Sequence, residues 1–150
     1  MAATFRNAAS KSKLYVWTKA GTTNKAEIYD IKTDTWETVI MPDTSKVIGA
    51  ASVDNRIFVL KEEEEEMFWQ EYLPEDNVFE DAGTVCPYAT SDVYSTPVVI
   101  RGKIYMAKEQ ETKEVLAYDA YADEWSRVSD INLSKKSATL ATCYTVSVVK

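Results

Sequence analysis

Apolar and polar residues alternate in short runs along this chain, and one run recurs three times. Lys13-Leu14-Tyr15-Val16-Trp17, Arg56-Ile57-Phe58-Val59-Leu60 and Lys103-Ile104-Tyr105-Met106-Ala107 each open on a cation, followed by a branched aliphatic, an aromatic and further apolar residues. A second anchor lies downstream of each. Tyr29-Asp30 precedes Trp36 by seven residues, Tyr72-Leu73 precedes Phe79 by seven, and Tyr118-Asp119 precedes Trp125 by seven. The tyrosines are 43 and 46 residues apart, as are the large aromatics. Two anchors that agree three times define a repeat of about 45 residues.

Each repeat predicts four short strands. Gly49 to Val53 leads through Asp54-Asn55 into the second anchor strand, and Thr96 to Ile100 leads through Arg101-Gly102 into the third. Two-residue links containing Asn or Gly are hairpin signals, because such turns need positive φ. Third strands are predicted over Ala26 to Ile31, Met67 to Leu73 and Glu114 to Tyr118, and fourth strands from Trp36, Val78 and Trp125. Polar, turn-forming links separate them. No segment sustains a 3.6-residue period, so no long helix is expected. The chain reads as a single β domain over 1–150, with units at roughly 1–46, 47–95 and 96–137 and a terminal strand pair at 138–150.

The pairs Tyr29-Asp30 and Tyr118-Asp119, the aromatics Trp36, Phe79 and Trp125 seven positions on, and Met41-Pro42 resemble the kelch repeat of β-propellers. The resemblance implies one four-stranded blade per repeat, with the Tyr and Trp packed between neighbouring blades. Thr18-Lys19, Lys61-Glu62 and Ala107-Lys108 stand where the family carries a glycine doublet. A β-trefoil, which also has three such units, is the alternative fold. Propellers have about four to eight blades. Three repeats therefore imply a second chain in a homo-oligomer (a dimer) or a larger propeller.

Charge and composition narrow the function. Net charge is −7, which disfavours nucleic acid and anionic membrane surfaces. No run of 18 apolar residues is present, so no membrane-spanning helix is expected. No apolar stretch follows Met1-Ala2-Ala3-Thr4, and a cytoplasmic location is expected. Cys86 and Cys143 read as two thiols in a reducing compartment, with one disulfide between them as the other reading. The chain has no histidine. That removes the usual triads, the usual zinc sites and the commonest general base. No enzyme, metal or cofactor is expected.

The expected function is a non-catalytic protein-interaction module, as the kelch resemblance implies. A small multivalent carbohydrate-binding protein is the alternative. Binding is expected in the links between second and third strands, which share one face with the links between units. The candidates there are Lys19, Asn24, Lys25, Glu62, Glu64, Lys108 and Glu111, with Trp69 as a ring for sugar or partner contact. The run Glu62 to Glu66 reads as a solvated link rather than a Ca²⁺ site, because like charges repel and a Ca²⁺ cage needs spaced oxygens. Trp36 and Trp125 are expected in the core. A far-UV circular dichroism spectrum should show under about 10% helix, well below the average globular content. Strong minima at about 222 nm would contradict this reading of the periodicity.

Overall fold

The structure, a computed structural model, describes residues 6–20, 23–43, 45–80, 83–88, 96–107 and 114–128. These residues are all-β. Twelve strands form three four-stranded antiparallel sheets, and no helix occurs among the described residues. In particular, none is long and apolar enough to cross a membrane. The first sheet runs β1 (Arg6–Ser10), β2 (Lys13–Ala20), β3 (Thr23–Asp30) and β4 (Thr35–Ile40). The second runs β5 (Lys46–Val53), β6 (Arg56–Glu63), β7 (Glu66–Leu73) and β8 (Val78–Phe79). The third runs β9 (Val98–Ile100), β10 (Lys103–Ala107), β11 (Val115–Asp119) and β12 (Glu124–Val128). Strand order within each sheet follows the chain, and none of the sheets closes on itself among the described residues. A trefoil would need a closed barrel. The predicted terminal strand pair, and Cys143, lie outside the described residues.

Three hairpin turns have positive φ at both central residues: Asp54-Asn55, Glu64-Glu65 and Arg101-Gly102. Such turns twist in the same sense as the strands they join. Glu64-Glu65 corrects one expectation. The run Glu62 to Glu66 is not a long link: Glu62 and Glu63 end β6, Glu66 opens β7, and only the middle pair turns. Glu62 instead faces β5, where the Lys46 ammonium lies 2.6 Å from its carboxylate.

The sheets stack face on face, and two apolar clusters fill the two boundaries. Between the first and second sheets lie Tyr15, Trp17, Ala26, Ile28 and Met41 on one side and Ile57, Val59 and Tyr72 on the other. Between the second and third lie Phe58, Leu60, Met67, Trp69 and Cys86 against Ile104, Met106, Leu116 and Tyr118. Strand alternation explains the assignment. Neighbouring residues point to opposite faces, so Tyr15 and Trp17 face forward while Leu14 and Val16 face back. In the middle sheet both faces are covered, and β6 is buried from Ile57 through Lys61.

This alternation reverses the expectation for the tryptophans. Trp69 was expected among contact residues, but it is buried at the second boundary, stacked on Tyr118 at 6.1 Å between ring centroids. Trp36 was expected in the core, but it is 61% exposed. Its repeat equivalents Phe79 and Trp125 pack against the boundary clusters. Trp36 occupies the same position on the first sheet, where no described sheet precedes it. Trp69→Ala should therefore cost about 3–5 kcal/mol, as buried aromatic truncations do. Within the single chain, Trp36→Ala should cost under about 1 kcal/mol, in the range of surface substitutions. Urea melts of the two variants measure the difference.

Candidate functional site

Each sheet carries the same latch between its third and fourth strands. The tyrosine hydroxyl ending the third strand donates to the side-chain oxygen five residues on: Tyr29 to Asp34 at 2.6 Å, Tyr72 to Asn77 at 3.0 Å, and Tyr118 to Asp123 at 2.8 Å. All three acceptors have positive φ, which Asn and Asp tolerate better than other side-chain-bearing residues. The acceptor then grips the chain leaving the preceding sheet. Asn77 Nδ2 donates to the Ile40 carbonyl at 3.0 Å. The Thr84 amide and hydroxyl donate to the Asp123 carboxylate at 2.8 and 2.9 Å. Gly83 lies so close to this latch that an added Cβ would stand 2.8 Å from both the Tyr118 hydroxyl and Asp123 Oδ1.

Turns at this end of the stack also touch across the boundaries. Lys11, in the β1–β2 turn, reaches Glu75 of the β7–β8 turn at 3.6 Å. At the next boundary the equivalent residues are Asp54 and Tyr121, and the Tyr121 hydroxyl donates to the Asp54 carboxylate. Arg56 adds a 3.5 Å bond to the Ala120 carbonyl there. The two contacts are alike in place and different in bulk. Tyr121 brings a ring, which lies over Gly102. Glu75 brings a short carboxylate.

A cleft of about 400 Å³ lies between the first and second sheets beside the Lys11–Glu75 contact. Tyr15, Ile57, Tyr72, Leu73 and Pro74 supply its apolar lining. Lys11 and Lys13 line it from the first sheet, and Glu75 and Asp76 from the second. Arg56 and Glu71 also line it, but they satisfy each other through three bonds of 2.6 to 3.0 Å. Burial raises the pKa of the Tyr15 hydroxyl, and the charges of Glu37, Glu75 and Asp30 add to the rise. Burial also pushes Tyr72 up to about 12, with smaller contributions from Tyr15 and Glu37. Both phenols therefore stay protonated at neutral pH. The Lys11–Glu75 pair is largely solvated, and such pairs contribute little. It can open to admit a ligand at small cost.

The sequence candidates fall elsewhere. Lys19, Asn24, Lys25, Glu62 and Glu64 lie toward the end of the stack opposite the cleft, because alternate hairpin turns of a meander lie at opposite ends. They are strand residues rather than loop residues, except Glu64. Asn24 is buried, and its Nδ2 donates to the carbonyls of Asp43 at 3.1 Å and Ser45 at 2.6 Å, pinning the link between sheets. Lys25 is half-buried on the back face of the first sheet. Lys108 and Glu111 lie outside the described residues. The described candidates form no shared site.

Sequence reasoning also missed Lys61, a fully buried cation that pairs with Asp43 and lies 3.1 Å from the centroid of Phe79. Burial lowers its proton affinity, only partly offset by Asp43. Its neighbours Glu62 to Glu66 disguise it as the start of a solvated run.

No protein-family model matches the chain, and no curated protein is similar to it. Among solved structures, two variants of the Synechocystis apocarotenoid oxygenase match at 8% identity and a third at 9%, each with a TM-score of 0.42. Each match covers 83% of this chain and 37% of the oxygenase, so the chain spans little more than a third of their length. The expectation that the chain is not an enzyme is corrected here, because these neighbours are enzymes. At this identity and TM-score the likeness assigns the chain no activity.

The third latch makes a prediction about acid. Partial burial pushes Asp123 up, but the bonds from Thr84 and Tyr118 outweigh it and hold the carboxyl below the ordinary value. A depressed folded value adds stability above the unfolded carboxylate value of about 3.9 and loses it as pH falls through the folded one. Stability should therefore fall on acidification below about pH 4. Asp123→Asn, which keeps the positive φ, should flatten part of that fall in thermal melts from pH 6 to pH 2. Unchanged curvature would mean the carboxylate is not held by these bonds.

Proposed function

We propose that the chain is a kelch-like propeller segment that works as a protein-interaction module, and that the cleft between its first two sheets takes an apolar side chain from an extended peptide. The three sheets are its blades in this reading. The observation that carries the proposal is the cleft itself: Tyr15, Ile57, Tyr72, Leu73 and Pro74 give it an apolar lining, and Lys11, Lys13, Glu75 and Asp76 set charges around it.

The lining supports a peptide of mixed character. Tyr15, Ile57, Tyr72 and Pro74 offer apolar area for one or two side chains, and pockets of such make-up commonly anchor a ligand with a few polar groups around them. The lysines on one wall and the carboxylates on the other can pair with charges flanking the anchor. Equal numbers of cations and anions around the cleft disfavour a polyanion such as nucleic acid. The carbohydrate reading, which expects repeated pockets between blades and rings for stacking, loses Trp69, which is buried, and keeps Trp36, which is exposed.

A displayed peptide library selected on the chain tests this. Peptides sharing an aromatic or aliphatic anchor should emerge, and Glu75→Tyr should weaken their binding at least tenfold, or about 1.4 kcal/mol. Binding that survives Glu75→Tyr but is lost on Lys25→Glu would move the site to the opposite end. A glycan array giving sugar-competable signal with no selected peptide would favour the carbohydrate reading.

A further inference from the structure

The back face of the first sheet is built like an internal boundary and is uncovered. On the second and third sheets the same face carries Ile57, Val59 and Tyr72, then Ile104, Met106 and Tyr118, and all six are at most 3% exposed. Their equivalents on the first sheet are Leu14, Val16 and Tyr29, and all three are only half-buried. Beside them Trp36 is 61% exposed and Ile40 is 64% exposed, both on this face by their pairing with Tyr29 and Lys25. Tyr29 and Trp36 lie against each other at 5.0 Å between centroids, as Tyr72 with Phe79 and Tyr118 with Trp125 do at 5.2 and 5.1 Å. The first latch is formed too, yet among the described residues Asp34 grips no preceding chain.

We propose that this face is the docking surface for a second copy of the chain. At both described boundaries the element that covers the equivalent residues is a sheet face of the same repeat, carrying aromatic and aliphatic side chains. A second copy supplies sheet faces of this kind, and docking continues an interface the fold already makes twice. The exposed surface is apolar at its two ends, at Trp36 and at Ile40, with Lys25, Glu27 and Thr38 between them. Leu14, Val16, Tyr29 and Trp36 form its apolar part, and exposed apolar area of this kind marks contact with another protein. This inference is independent of the peptide cleft, which lies at the opposite face of the first sheet.

Sedimentation at micromolar concentration, with oxidative footprinting of Trp36, tests the proposal. The 150-residue chain should run as a dimer with Trp36 protected. Trp36→Glu and Ile40→Glu, both at exposed positions, should each shift it to monomer by at least tenfold in dissociation constant, while Glu75→Tyr leaves the dimer unchanged. A monomer throughout the micromolar range overturns the proposal. So does a dimer that both variants leave intact with Trp36 still oxidised, which would place the contact elsewhere. Protection of Trp36 in a monomer by added oligosaccharide would also overturn it, and would make the face a sugar-stacking surface.

Discussion

The contact on which the stack depends is the tyrosine that ends each third strand. At Tyr72 and Tyr118 its ring lies in the boundary with the preceding sheet, and its hydroxyl fixes an Asn or Asp five residues later. That acceptor then holds the departing chain of the preceding sheet. One residue thus joins the apolar packing of two faces to the hydrogen bonding of their turns. Burying the hydroxyl without a partner would cost roughly 1–3 kcal/mol, so the latch and the packing form together. The neighbouring carboxylates Asp30 and Asp119 shape the same turns by accepting backbone amides two and three residues on. In the middle sheet Leu73-Pro74 stands there instead, and proline presets the turn.

The proposed binding surfaces lie at departures from this regularity. At the second boundary the Tyr121 hydroxyl and the Asp54 carboxylate join the turns. At the first boundary Glu75 stands in that place, beside the cleft lined by Tyr15 and Tyr72. Where no described sheet precedes the first, its latch and its aromatic pair stand exposed. Both features are properties of one position in an otherwise shared pattern. Neither needs a motif of its own.

Much of the fold was legible. The alternation around Lys13, Arg56 and Lys103 marks the second strands, and Asp54-Asn55 and Arg101-Gly102 mark hairpins because those residues accept positive φ. Glu64-Glu65 has no such signature, so a tight turn was read as a long link and a buried lysine beside it was missed. The tyrosine-to-Asx spacing at 29 and 34, 72 and 77, and 118 and 123 was present in the sequence and would have revealed the latch. The tryptophans misled for a different reason. A repeat position says which face a side chain takes, whereas burial depends on whether another sheet covers that face. Trp36 lies on an uncovered back face, and Trp69 on a front face that the third sheet covers. The cleft was not legible, because its lining comes from three separate stretches, around Lys13, Arg56 and Leu73, that meet only in the folded chain.

The stacking of the sheets through these tyrosines is the central claim, and double-mutant cycles across the two boundaries test it most directly. One cycle pairs Trp17→Leu with Tyr72→Leu, whose rings meet edge-on at 6.1 Å. The other pairs Trp69→Leu with Tyr118→Leu, stacked at the same separation. Each should return a coupling of about 0.5–1.5 kcal/mol in unfolding free energy, the range for aromatic pairs in contact. Additive losses in both cycles, with no coupling beyond error, would mean that these faces do not meet and would contradict the account.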